Sequence, residues 1–141
     1  MATDCTFCGI IARDVEASIV DEDAETMAFI DIRQFHPGHT LIVPKRHIEN
    51  IFELDDATGA ALTRTLLRVA RAVRDAFRPD GMNVWQSNGA AGGQEVFHLH
   101  LHVLPRMHED GMLRFFPTRP GRPPRTELEK QAALIRSNLR G

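Results

Sequence analysis

Hydrophobic positions along this chain recur in two rhythms. From about Asp56 to Phe77, Leu62, Leu66, Val69, Val73 and Phe77 return at helical spacing until Arg78-Pro79-Asp80-Gly81 breaks the pattern. This predicts a long helix with one apolar face, suited to covering a sheet. A second helix is predicted to begin at Thr126, which with Glu129 has capping-box spacing, and to carry Leu128, Ala132, Ile135 and Leu139 on one face. The proline-rich stretch before it, Pro117 to Pro124, reads as a loop. Strand-length runs cover Thr26 to Asp31, Thr40 to Val43 (ended by Pro44), Met82 to Ser87 and Val96 to Leu104, each flanked by turn or charged residues. Strands outnumber helices, and the connections are too short for repeated βαβ crossovers. The predicted fold class is therefore α+β: a mostly antiparallel sheet with one long helix and a C-terminal helix, packed on one sheet face.

At 141 residues a single domain with one core is expected over residues 1–141. Lys and Arg number 17 against 19 Asp and Glu, for a net charge of -2. That balance lacks the basic excess of a general nucleic-acid binder, so any phosphate site must be local. The longest apolar runs are too short to span a membrane and Met1 to Ile10 lacks a secretory layout, so a cytoplasmic protein with no membrane or nucleic-acid partner is expected. Cys5 and Cys8, the only cysteines, lie too close together to staple a fold, which leaves metal or redox chemistry.

The densest chemistry lies in Val96-Phe97-His98-Leu99-His100-Leu101-His102-Val103-Leu104, where histidines alternate with apolar residues. Strand periodicity puts the three imidazoles on one face, successive Cα atoms about 6.5–7 Å apart, and turns Leu99, Leu101 and Val103 to the core. Such a face could be exposed and idle, bind a catalytic zinc through His98, His100 and His102, or grip and attack a phosphate. Just upstream, Asn88-Gly89-Ala90-Ala91-Gly92-Gly93-Gln94-Glu95 is a small-residue turn whose amides could approach an anion. Joined to the histidine strand, it would bring phosphate within reach of the middle imidazole.

The run Gly93-Gln94-Glu95-Val96-Phe97-His98-Leu99-His100-Leu101-His102-Val103-Leu104-Pro105-Arg106 resembles the signature of the histidine-triad superfamily. Phe29-Ile30-Asp31-Ile32 and Pro37-Gly38-His39-Thr40-Leu41-Ile42-Val43-Pro44-Lys45-Arg46-His47 are similar to its other recurrent block. The resemblance covers a core from about Cys5 to Arg106 and leaves 107–141 as a C-terminal loop and helix. It implies a homodimer in which two half-sheets join, and a nucleotide hydrolase or nucleotidyl transferase working through a covalent nucleotidyl-histidine. A purine nucleotide is the implied substrate: a nucleoside phosphoramidate, a nucleoside diphospho-ester or a dinucleoside polyphosphate. His100 would be the nucleophile, with its lone pair available near pH 7. His102 would bond phosphate oxygens or the leaving group, and its retention in place of the glutamine of sugar-phosphate transferases favours hydrolysis. His39 would support the triad, Asp31 would take the ribose hydroxyls, and Phe7, Ile11, Phe29 and Ile32 would line the base pocket. Asn88, with Ser87 competing for its register, would contact phosphate or ribose, as would Gly93, Gln94 and Glu95. Glu95 departs from relatives that carry a hydroxyl there.

Several branches of the superfamily also bind a structural zinc, and the resemblance assigns it Cys5, Cys8, His47 and His98. The alternative is two reduced thiols without metal. A structural zinc on His98 and a three-histidine catalytic zinc exclude each other. A nucleotide-binding regulatory protein with incidental hydrolysis is a further reading. His36 and His108 read as surface residues, and Trp85, the single tryptophan, as a core or subunit-interface anchor rather than a base-stacking platform.

Overall fold

The computed structural model describes residues 4–112 and 118–140; Pro117, first in the predicted loop, lies outside them. The chain divides into two compact units, Met1–Asp110 and Gly111–Gly141. In the first, helix α1 (Thr6–Ile11) precedes strands β1 (Ile19–Glu22), β2 (Thr26–Ile30) and β3 (Thr40–Pro44). Helix α2 (Asp56–Phe77) and strands β4 (Gly81–Gln86) and β5 (Leu101–Arg106) follow. The five strands form one sheet in the order β1-β2-β3-β5-β4, with every neighbouring pair antiparallel.

Period-two alternation sends successive side chains to opposite faces. Ala28, Ile42 and Val103 pack with Leu62, Val69 and Val73 of α2, joined by Ile48 and Leu99. Met27, Phe29, Leu41 and Val43 face the other way, onto Phe7 and Ile10 of α1. Both sheet faces are therefore covered, whereas the sequence pattern placed the helices on one. Helix α1 spans six residues and β1 four, too short for either to show its period.

Helix α2 matches the predicted span. Asp55 caps it by accepting from the Thr58 amide at 2.9 Å, and Arg78 ends it in a left-handed conformation, φ 47°. Its buried Thr65 hydroxyl bonds that of Thr26 in β2 at 2.6 Å. Although burial opposes ionisation of Asp23, the amides of Glu25 and Thr26 and the guanidinium of Arg68 hold its carboxyl well below the usual range, tying the β1–β2 turn to the helix.

The predicted histidine strand is shorter than its alternation suggested. Only Leu101–Arg106 joins the ladder; before it, the Leu99 amide donates to the Ile48 carbonyl at 2.6 Å, outside the sheet. The inward set is still the expected one, since Leu99, Leu101 and Val103 all pack in the α2-side core.

In the second unit, helix α3 (Arg125–Asn138) starts with Pro124 at its N-cap and no side-chain cap. The predicted capping box does not form. Thr126 lies inside the helix, and the Pro124 carbonyl takes the amides of Glu127 and Leu128. Leu128, Ile135 and Leu139 are exposed. No helix among the described residues is long and apolar enough to cross a membrane.

Candidate active site

Cross-strand register assembles the site. Ile19 lies opposite Phe29, Phe29 opposite Leu41, Leu41 opposite His102 and His102 opposite Trp85, so one row crosses all five strands on the α1 side. His39 enters two residues before Leu41. It follows Gly38, whose φ of +95° and close approach to the Phe77 ring leave no room for a Cβ. His100 sits two residues before His102, with their ring centroids 4.8 Å apart.

His100 and His102 each have one ring nitrogen committed, and this sets what the other can do. His100 donates Nδ1–H to the His98 carbonyl at 2.7 Å, leaving the Nε2 lone pair as its reactive atom. The Phe35 amide donates to His39 Nδ1 at 3.3 Å, so His39 carries its proton on Nε2 and donates it to His102 Nδ1 at 2.9 Å. His102 then presents Nε2–H as a donor. A lone pair and an N–H on adjacent imidazoles form a nucleophile beside an anion-binding group.

Burial keeps these rings neutral. It lowers the pKa of His100 against the opposing His98 carbonyl and Asp31. Burial, with His100 and His39 adding to it, takes His102 down to about 3. His39 is lowered by burial despite Asp31, whose carboxylate lies 3.6 Å from its Nδ1. A buried uncharged imidazole keeps its lone pair well into acidic solution.

The first histidine of the run does something else. His98 donates Nε2–H to the Pro44 carbonyl at 2.8 Å, which aims its Nδ1 lone pair at Cys5 Sγ and Cys8 Sγ, 3.5 and 3.6 Å away. Cys8 Sγ is 3.4 Å from His47 Nδ1, and the four ligand atoms lie within 4.8 Å of one another. A tetrahedron with arms of about 2.0–2.3 Å has edges of about 3.3–3.8 Å, and the distances of 3.4, 3.5 and 3.6 Å fall in that range. Burial and then the adjoining Cys5 push the Cys8 thiol up; a thiolate pair there calls for a neutralising cation. The cluster is a possible Cys/His metal site. A three-histidine metal site is not formed among the described residues, because His98 turns to the sulfurs and His100 Nδ1 to a carbonyl.

The remaining predicted residues divide by position. Phe7, inside the Cys5–Cys8 turn, packs edge-on against both His98 and His100, at 6.0 and 5.2 Å, and against Phe29 at 5.3 Å. Ile11 borders this cluster. Ile32, assigned to the base pocket by the resemblance, is 95% exposed because it follows β2 in the turn. Asp31 accepts from the Arg33 amide at 2.8 Å. Gln94 is buried and organises the glycine-rich turn: it accepts from Gly89 N and donates to the Glu49 and Val96 carbonyls. The amides of Gly92, Gly93 and Gln94 close the turn onto Gly89 and Ala90. Asn88 accepts from Ile51 N at 2.8 Å and pairs with Gln86. Glu95 is exposed and His36 half-buried.

Sequence reasoning missed the carbonyls of Pro44 and His98, which have no residue signal, and the aromatic neighbour Phe35, and it gave Trp85 an anchoring role only. Trp85 was detectable only through its register with His102.

A family model described as HIT domain matches residues 12–109. The chain is similar to a HIT family member from Bacillus subtilis, with TM-score 0.92, 38% identity, and coverage of 98% of this chain and 99% of that one. It is 35% identical over 106 residues to the adenosine 5'-monophosphoramidase hnt1 of Schizosaccharomyces pombe, covering 75% of this chain and 77% of that protein. A Zn-bound histidine triad family protein from Mycobacterium smegmatis superposes with TM-score 0.73 at 33% identity over 98% of both chains. With this match across most of its length and a histidine row of this geometry, the chain belongs to the HIT domain family.

Proposed function

We propose that this chain is a hydrolase that cleaves the α-phosphate bond of purine nucleoside phosphoramidates, nucleoside diphospho-esters or dinucleoside polyphosphates through a nucleotidyl-histidine at His100. The observation that carries this reading is the His98 carbonyl fixing His100 Nδ1–H at 2.7 Å, which leaves Nε2 as an oriented nucleophile beside the His102 donor. His100 Nε2 bonds to the α-phosphorus as the bond to the leaving group breaks, and His102 Nε2–H stabilises the phosphate oxygens or the departing group. Water then attacks the same phosphorus, releasing the nucleoside monophosphate and restoring neutral His100. Asp31 takes the ribose hydroxyls, and Phe7, Ile11, Phe29 and Ile32 take the base. Asn88 and the Gly93-Gln94-Glu95 turn border the phosphates. His39 supports His102.

Zinc is proposed as the ion of the Cys5, Cys8, His47 and His98 cluster. It would neutralise the two thiolates and clamp α1 to the segment before β5. A homodimer joined along the edge strand β4, where Val84 is exposed, belongs to the same reading, as does a reducing, cytoplasmic setting for the thiols.

The test is intact mass spectrometry after rapid, acid-free quenching with adenosine 5′-phosphoramidate. An acid-labile nucleotidyl adduct on wild type that accumulates in His102→Ala and is absent from His100→Ala is expected. Steady turnover with no adduct on either protein that retains His100 would move the attack to water and overturn the covalent mechanism.

A further inference from the structure

We infer that Trp85 is a positioning residue for His102, acting as the flat surface that holds the imidazole in the plane where its Nε2–H meets the phosphate. This rests on the role proposed for His102 above.

A hydrogen bond to one nitrogen does not orient an imidazole completely. The His39 bond to His102 Nδ1 at 2.9 Å sets the ring's heading but still permits tilting about that bond. The tilt has to be stopped by something flat. Trp85 lies directly opposite His102 in the β4–β5 register, and its ring is parallel to the imidazole within 3° at a centroid distance of 4.2 Å. It also lies 5.6 Å from the His39 ring, and Phe35 stacks on that ring at 5.7 Å and 21°. The hydrogen-bonded histidine pair is thus clipped between two aromatic side chains from separate elements, the edge strand β4 and the β2–β3 turn. With heading and plane both fixed, the donor direction is set before substrate arrives, which is where preorganisation gains rate.

An anchoring role and a positioning role make different demands on position 85. Any apolar residue of suitable volume satisfies the first, whereas only a flat ring satisfies the second. Trp85→Leu and Trp85→Phe therefore separate them.

The first readout needs no turnover. Imidazole 1H–15N correlation spectra of wild type and W85F should show one sharp set of His102 resonances protonated on Nε2, and W85L should show them broadened as the ring tilts between orientations about the bond from His39. On adenosine 5′-phosphoramidate, W85L should lose kcat by about tenfold with KM changed by less than about threefold, while W85F stays within about threefold of wild type in both. If W85L does not fold, Trp85→Met, apolar and flexible, takes its place. The inference is overturned if W85L keeps the wild-type His102 spectrum and kcat, or if W85F is as impaired as W85L. An inactive wild-type protein would instead sink the hydrolase reading, while the His102 spectra would still decide the role of Trp85.

Discussion

Three histidines spaced two apart in the chain have three different partners, and the partner decides the chemistry. His98 turns Nδ1 to two sulfurs, His100 turns Nδ1 to a carbonyl, and His102 turns Nδ1 to another histidine. A pH dependence follows at this scale. Burial holds His102 at about 3, against 6.5 for the free side chain, and also lowers His39 and His100. Between those limits the unfolded chain binds protons that the folded one refuses, so stability rises with pH there. The histidine contribution is complete above about 6.5 and is lost progressively as pH falls from there toward about 3. Denaturant unfolding from pH 7.5 to 4.5 should show this fall, and His102→Gln should reduce its slope; equal slopes would mean that His102 takes up its proton over the same pH range folded and unfolded.

At the scale of elements, a strand pair, a turn and a helix end must agree for the site to exist. Gly38 is where they meet: its positive φ lets the β2–β3 turn pass over Phe77 at the end of α2 and delivers His39 into the row. Gly38→Ala should cost about 1–3 kcal/mol by denaturant titration, because a Cβ there is both strained and 2.8 Å from the Phe77 ring. A loss below about 0.5 kcal/mol would show that turn and helix separate easily. The legibility of the elements follows their length. Helix α2, at 22 residues, repeats its apolar stripe often enough to be read directly. Helix α1 completes less than two turns, and β1 alternates only twice. The capping box at Thr126 has the right spacing but the wrong start, because Pro124, with its fixed φ, takes the N-cap position two residues earlier and Arg125 is the first helical residue. The alternation through His98 and His100 has strand period, although those residues run outside the ladder.

For the molecule as a whole, the Cys/His cluster joins pieces remote in sequence: α1, the stretch after β3 and the segment before β5. Purified protein should contain stoichiometric zinc, which Cys8→Ala abolishes. Chelation should lower Tm by more than about 5 °C, near 1 kcal/mol for a unit of this size. Prompt loss of activity on chelation with an unchanged Tm would instead mark the metal as catalytic.

The sequence by itself determined the α+β class, the span of α2, the inward face of the β5 run and the family, through features that are local and repeat: apolar period, turn residues and the histidine spacing. Its cysteine spacing and the family resemblance also pointed to the four residues that cluster as metal donors. Only the tertiary structure decided which nitrogen of each histidine is free, that Trp85 lies flat on His102, and that Ile32 stands in solvent while Phe7 touches both His98 and His100. Those outcomes depend on backbone carbonyls and on the register between strands distant in the chain, and neither carries a side-chain signature that a linear pattern can display.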